Sequence, residues 1–276
     1  MRFAKAHAYG NDFLYVRDHL ATGLDRAELA RQMCNRQSGV GADGLIFYQP
    51  TTSGATMQLI NADGSRAEVS GNGVRALGAL LLAHRDQGLA AHGRGVAEQV
   101  QLVIETEAGR KVLDRLTIDG TRQVFRAHMG HPADIRQVTL EAAGETVTLA
   151  VLNMGNPQCV LLGPLPDEDR FRRLGAALEK HAAFPEGTNV EFAHVETPER
   201  VRILIWERGV GPTRSSGTGS CAAAVAAAAY GGASRATEVC APGGDQTVSW
   251  LESGVELTGW AEVTCEGDWV RILPRG

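Results

Sequence analysis

Two tetrapeptides carry the first chemical signal in this chain, Ser70-Gly71-Asn72-Gly73 and Ser216-Gly217-Thr218-Gly219. Each leads into a run dominated by Ala, Leu and Val, residues 72–84 in one case and 218–230 in the other. A helix that opens on such a turn offers several unpaired backbone N–H groups and the positive end of its dipole. That end binds carboxylate or phosphate readily. The serine in front of it has two readings. It is an N-cap, accepting a backbone N–H into its hydroxyl oxygen, or it is an acid/base group set beside a bound anion. If both helix ends held one carboxylate-bearing carbon, one serine would take its α-proton and the other would supply a proton from the opposite face. That is the geometry of a two-base racemase.

The elements that must position these residues repeat as well. Gly10-Asn11 recurs 145 residues later as Gly155-Asn156, and Gly41-Ala42-Asp43 recurs 146 residues later as Gly187-Thr188-Asn189. The two serine motifs are also 146 residues apart. Short motifs returning in the same order at nearly the same spacing mark a duplicated unit. Runs 3–6, 13–16, 45–48 and 57–60 predict strands in the first half, and 147–152, 159–162, 190–194 and 201–206 predict them in the second. Residues 102–112 predict further strands closing the first half, and 269–273 a last strand returning to it. The two Ala/Leu/Val runs are apolar on nearly every face, which marks buried helices. Segments 25–34 and 167–181 alternate charged and apolar positions, as outer helices do. The expected class is α+β, with residues 1–115 plus 263–276 forming one domain and 116–262 the other.

Composition narrows the function. The 276 residues carry 27 Lys+Arg against 32 Asp+Glu, a net charge of −5, and the sequence pI is about 5.9. That balance argues against nucleic acid or an anionic membrane as the main partner. No apolar run approaches the ~20 residues of a membrane helix. The first residues, with Arg2, Lys5 and Asp12, lack the apolar core of a signal peptide, so a cytoplasmic location is expected. The five cysteines are odd in number and form no CxxC pair, which argues against a structural metal site or a disulfide framework. Many of the 33 glycines cluster with Asn, Asp, Ser or Thr. Loops of that kind bring backbone close to a small ligand.

With these motifs in hand the chain resembles the diaminopimelate epimerase family. The resemblance rests on Tyr9-Gly10-Asn11-Asp12-Phe13, Asn61-Ala62-Asp63-Gly64-Ser65, Gly71-Asn72-Gly73-Val74-Arg75, Met154-Gly155-Asn156-Pro157, Gly187-Thr188-Asn189-Val190, Glu207-Arg208-Gly209-Val210-Gly211 and Gly217-Thr218-Gly219. It covers essentially the whole chain. It implies two pseudo-symmetric domains, each a mostly antiparallel or mixed strand barrel wrapped around a central helix. It also implies a homodimeric, cofactor-independent epimerase that interconverts LL- and meso-diaminopimelate on the route to lysine and peptidoglycan. Cofactor independence agrees with the residues. The three lysines, Lys5, Lys111 and Lys180, lie in no glycine-rich loop suited to pyridoxal phosphate.

Carried over residue by residue, the resemblance puts Asn11, Asn61, Asn156, Asn189 and Arg208 on the substrate. Asn donates and accepts, and the Arg fork pairs a carboxylate. Gly71-Asn72 and Gly217-Thr218 would supply backbone donors to the carboxylate at the reacting carbon. Glu207 would meet an ammonium group or support the acid/base residue. The catalytic pair would fall on Ser70 and Ser216, where the family carries cysteines. Gln158 stands where the family motif has His, and Gly44 where Gln is usual. These departures belong together physically. A thiol near neutral pKa is readily poised as a thiolate by a nearby His, whereas a serine hydroxyl needs an adjacent general base. Glu207 and Glu68 are the candidates. Cys221 reads as a small core residue inside its helix. Three readings stay open: an epimerase using its serines, a related racemase or isomerase with another acid/base pair, and a catalytically impaired binding homologue. The linked change at Gln158 favours natural divergence over engineering.

Overall fold

The computed structural model describes residues 1–67, 69–91 and 99–270, with the side chains of 89–91 left aside. They form two compact units, residues 1–127 with 259 onward, and residues 128–258.

In the first unit, β1 (Arg2–Ala8) and β2 (Asn11–Arg17) form an antiparallel hairpin. Its turn, Tyr9-Gly10, has φ of 56° and 84°, the left-handed region that Gly tolerates without cost. Helix α1 (Arg26–Cys34) starts on Asp25, whose carboxylate accepts the amides of Ala27 and Glu28. Strand β3 (Gly44–Pro50) then lies parallel to β2, with Gly44 opposite Phe13. Next, β4 (Gly54–Asn61) runs antiparallel to β3, and β5 (Arg66–Ala67) antiparallel to β4. Helix α2 (Gly71–Ala91) follows, then β6 (Val100–Thr106) parallel to β4, β7 (Gly109–Asp119) antiparallel to β6, and β8 (Arg122–Gly130).

The second unit repeats this order of pairings. Strands β9 (Ala133–Ala142) and β10 (Glu145–Asn153) form a hairpin, and β11 (Pro157–Leu162) is antiparallel to β10. After α3 (Glu168–Glu179), β12 (Asn189–Thr197) lies parallel to β11, with Asn189 opposite Gln158. Then β13 (Arg200–Glu207) is antiparallel to β12, and β14 (Gly211–Thr213) antiparallel to β13. Helix α4 (Gly217–Ala226) continues in a π-turn at Ala227–Gly231. Strand β15 (Ala236–Ala241) is parallel to β13, and β16 (Gly244–Leu251) antiparallel to β15. The last strand, β17 (Gly254–Asp268), pairs with β16 through Thr258 and with β1 through Asp268.

Helix α4 and the N-terminal turns of α2 are enclosed. On α2, Val74, Ala76, Leu77, Ala79, Leu80 and Leu82 are buried. On α4, every residue from Gly219 to Ala226 is buried, packed among Val201, Ile203, Ile205, Val239 and Val248. Ala and Gly leave little side-chain volume there, so strands approach the α4 backbone closely.

Two organisational details differ from the sequence reading. The units meet at 127/128 and 258/259, not near 115 and 263. Strand β8 explains the first shift: Gln123 donates to the Ala79 carbonyl of α2 and accepts from Arg115 of β7, and Phe125 is fully buried. Strand β17 explains the second, because it makes the return to β1 itself. Trp269 and Val270 lie outside the strand, although Trp269 and Met1 exchange backbone hydrogen bonds of 2.7 and 2.8 Å. Residues 271–273 of the expected last strand are outside the described residues.

Helix α3 fixes the turn after β13. Its Glu179 accepts from Trp206 Nε1 at 2.7 Å and from the Gly209 amide at 2.9 Å. The indole packs over Gly175, where a Cβ would stand 2.7 Å from the ring. Gly175→Ala should therefore destabilise the fold by about 1–3 kcal/mol, the usual cost of overpacking, because Glu179 prevents the indole from yielding. Gly88, in α2, faces open space, and Gly88→Ala should stabilise by about 0.4–1 kcal/mol. Urea midpoints of the two variants check both signs.

Candidate active site

In the first unit Ser70 stands directly before α2. Its Oγ accepts the Gly73 amide at 3.1 Å, and its carbonyl accepts the Val74 amide at 2.8 Å. Asn72 is buried at the helix start, donating through Nδ2 to Asn11 Oδ1 at 3.2 Å and accepting from Arg75 at 2.9 Å. Asn11 in turn donates to Asp43 at 2.7 Å. Behind these lies a charged cluster. Arg36 bridges Asp12 at 2.7 Å and Asp43 at 2.8 Å, and Lys5 reaches Asp12 at 2.9 Å. Burial opposes the charge on Asp12, but the hydrogen bonds and positive charges of Arg36 and Lys5 outweigh it and hold the carboxyl below the usual range. Asn61 ends β4 and donates to Ser65 Oγ at 3.0 Å. Gly71 is the first residue of α2, and Glu68 lies outside the described residues.

The second unit places the equivalent residues in the same relation. Ser216 caps α4, its Oγ accepting the Gly219 amide at 3.2 Å. Its carbonyl accepts Ser220 Oγ at 2.8 Å. Thr218, two residues past the serine as Asn72 is past Ser70, is 3.4 Å from Asn156 Nδ2. Asn189 donates to the Pro157 carbonyl at 3.1 Å and accepts the Arg208 amide at 3.0 Å. The Arg208 guanidinium is exposed and donates to the Glu186 carbonyl at 2.9 Å. Glu207 begins the same turn, its carbonyl accepting the Val210 amide. Cys221 is buried inside α4. Among the described residues, neither serine hydroxyl bonds a carboxylate or an imidazole.

Gln158 and Glu191 lie at the centre of this second network, both fully buried. The Gln158 amide is within hydrogen-bond reach of Asn156, Asn189, Thr218 and the Glu191 carboxyl. Glu191 faces the start of α4, and a Cβ on Gly219 would stand 2.6 Å from its Oε1. Burial pushes the Glu191 carboxyl well above the usual range, and the nearby negative charge of Glu207 adds to the effect. Glu191 is not among the residues that the sequence motifs single out. Its signal is the strand alternation Asn189-Val190-Glu191-Phe192, which puts the one acidic residue of an apolar run on the face of Asn189.

A third cluster, Glu238, Cys240 and Asp245, brings its donor atoms within 4.8 Å of one another. Arg200 already bridges both of its carboxylates and supplies the positive charge there.

Two α+β units of one topology, each with a serine-capped helix at its centre, define the racemase and epimerase fold. A probable proline racemase from Agrobacterium radiobacter K84 shares it with a TM-score of 0.70 at 15% identity, over 98% of this chain and 92% of that one. The diaminopimelate epimerase family model matches residues 3–133 and 150–264. The diaminopimelate epimerase of Desulforudis audaxviator is 38% identical over 98% of this chain and 100% of its own length. That of Desulfitobacterium hafniense is 37% identical over 97% of each. The chain belongs to the diaminopimelate epimerase family and is an enzyme of the epimerase class.

The Asp12 cluster makes stability depend on pH. A carboxyl depressed in the folded state stabilises above its unfolded pKa, and that contribution is lost as pH falls through the folded value. Asp12→Asn should therefore cost most at neutral pH, with the difference from wild type narrowing below about pH 4. Thermal unfolding of both proteins across that range measures it.

Proposed function

We propose that the chain is a cofactor-independent epimerase acting on LL- and meso-diaminopimelate, with Ser70 and Ser216 serving opposite faces of the same α-carbon. The observation that carries the reading is the duplicated helix start. In each unit a serine oxygen caps the third residue of the helix, at 3.1 Å for Ser70 and 3.2 Å for Ser216. In each, the second residue is linked to the Asn of a Gly-Asn turn, Asn72 to Asn11 and Thr218 to Asn156. The backbone amides at Gly71-Asn72 and Gly217-Thr218, at the helix starts, suit the substrate carboxylate, and their dipoles favour the negative charge that develops as the α-proton leaves. Asn61, Asn189, Glu207 and Arg208 are assigned to the rest of the amino acid, with Arg208 taking the distal carboxylate. The setting is lysine and peptidoglycan precursor synthesis in the cytoplasm, by a homodimer.

One observation favours a second reading, a ligand-binding homologue that turns over slowly or not at all. Proton transfer is most efficient when the catalytic pKa lies near the working pH. A serine hydroxyl is far more basic than a thiol, and both hydroxyls here lack a hydrogen-bonded base among the described residues.

Incubation with each isomer in D₂O separates the readings. Wild type should incorporate α-deuterium slowly, and the double change Ser70→Cys with Ser216→Cys should raise the rate, because a helix N-terminus lowers a thiol pKa further. Adding Gln158→His should raise it again. Fast exchange in wild type with inactive cysteine variants would show serines working with bases of their own. Tight binding without exchange in any form would establish the binding homologue. For recognition, Arg208→Ala should weaken diaminopimelate binding by on the order of 2 kcal/mol, the scale of a hydrogen bond to a charged group. Unchanged affinity in calorimetry would remove Arg208 from the site.

A further inference from the structure

The loop 184–189 and the turn 207–211 carry Asn189, Glu207 and Arg208, and one residue of α3 holds both. The carbonyl of Glu179 accepts the Thr188 amide at 3.1 Å. Its carboxylate accepts the Gly209 amide through Oε1 at 2.9 Å and Trp206 Nε1 through Oε2 at 2.7 Å. The two segments are also tied to each other. The Arg208 amide donates to Asn189 Oδ1 at 3.0 Å, and the Arg208 guanidinium to the Glu186 carbonyl at 2.9 Å.

The hold on Gly209 matters because of the kind of turn it stabilises. The Val210 amide donates to the Glu207 carbonyl at 3.0 Å, which makes Arg208 and Gly209 the central residues. Gly209 has φ of 77°, as the second central residue of a type II turn does. A type I turn joins the same ends and differs by a half-rotation of the central peptide, here the one between Arg208 and Gly209. Glycine is at home in either, so its own preference does not choose. The Gly209 N–H belongs to that peptide, and its bond to Glu179 selects one orientation. We propose that Glu179 is a positioning residue which, by fixing the Arg208–Gly209 peptide, keeps the Arg208 fork in place for the distal carboxylate of the ligand. The inference rests on the proposed function where it lets Arg208 meet that carboxylate.

A glutamate at this place runs against two ordinary preferences. Glu179 ends α3, where the helix dipole disfavours negative charge. It is also only 8% exposed, and burial takes hydration from a carboxylate. The last turn of α3 has no basic residue, and Lys180, which follows, is exposed. The two donors account for the choice. An indole N–H and a backbone N–H can only donate, and a carboxylate offers two oxygens that only accept. Glutamine would offer one oxygen, and in either orientation its NH2 group would face the other donor. The side chain is therefore matched to holding an indole and a turn together, rather than to the helix that carries it.

The test begins on ligand-free protein. Amide hydrogen exchange by NMR should be about tenfold faster at Gly209 in Glu179→Gln than in wild type, the equivalent of one hydrogen bond to a charged group. Adding Trp206→Phe removes the second donor, leaves the glutamine oxygen to Gly209, and should restore most of that protection. A residue that only packed the core would lose more with each change. Calorimetry with meso-diaminopimelate then reads the consequence for binding. Affinity should fall about tenfold in Glu179→Gln and recover in the double variant. Added to Arg208→Ala, Glu179→Gln should change affinity by less than about threefold, because residues acting through one group are not additive. Should Glu179→Gln fail to fold, Glu179→Asp replaces it, keeping the charge on a side chain one methylene too short for both donors. Unchanged exchange at Gly209 overturns the inference. So does a loss of affinity that adds in full to that of Arg208→Ala, or unchanged affinity in Glu179→Gln where Arg208→Ala weakens binding. Faster exchange in a protein that binds equally well with and without the Arg208 side chain supports the hold on the turn. That result instead overturns the assignment of Arg208 to the distal carboxylate.

Discussion

The structure is governed by the need to enclose α4 and the N-terminal turns of α2, which are apolar on nearly every face. A helix such as α4, whose residues from Gly219 to Ala226 are all buried, cannot rest on a sheet with one side toward water. Strands must pass around it, and the repeated order of pairings does this in each unit. The enclosed helix leaves only its ends for chemistry. At the N-terminal end the backbone amides have no helical partners, so the turn residues decide what happens there. Small residues allow close approach, Ser70 and Ser216 cap, and Asn72 and Thr218 turn toward the Gly-Asn hairpins. Site and core are thus one construction: the packing that buries the helix also delivers its amides.

The two units then diverge in how they support that end. Behind Asn11 in the first unit is an ionic network of Asp43, Arg36, Asp12 and Lys5, in which Arg36 and Lys5 hold the Asp12 carboxyl below its usual range. Behind Asn156 in the second unit is an amide and a buried carboxyl, Gln158 and Glu191, and the negative charge of Glu207 acts on that carboxyl. One support is fixed in polarity by permanent charges. The other has no permanent positive charge and is built from a neutral amide against a buried carboxyl. A duplicated scaffold has been given two different electrostatic settings.

Much of this was legible in the sequence, for identifiable reasons. The repeat could be read because turns that need positive φ or close backbone approach restrict residue choice, so Gly-Asn and Ser-Gly-x-Gly stand out at both offsets. Both buried helices could be read from their lack of a polar face. Strands β8 and β9 were not anticipated. Much of β9 is exposed, with Arg136, Gln137 and Thr139 alternating against little apolar signal, and its pairing with β10 is a long-range fact. The unit boundary shifted because the hold of Gln123 on Ala79 is tertiary. Glu191 does not stand out in the sequence, because this carboxyl sits mid-strand and becomes distinctive only once α4 closes over it.

The departures at Ser70, Ser216 and Gln158 form a consistent set when weighed against Glu191. An imidazole at position 158 would place a titratable cation against the buried carboxyl, and each would favour the charged form of the other. A charged pair of that kind also stabilises a thiolate at the neighbouring helix start. With glutamine there, the cation is gone, and burial together with the negative charge of Glu207 holds the Glu191 carboxyl well above the usual range. A thiol in such a setting would lose the partner that poises it, whereas a hydroxyl, un-ionised in either case, loses little. The side chain at 158 therefore sets how large the advantage of cysteine over serine at 216 can be, beyond what the helix N-terminus supplies, and the residue that makes it matter is the carboxyl behind it.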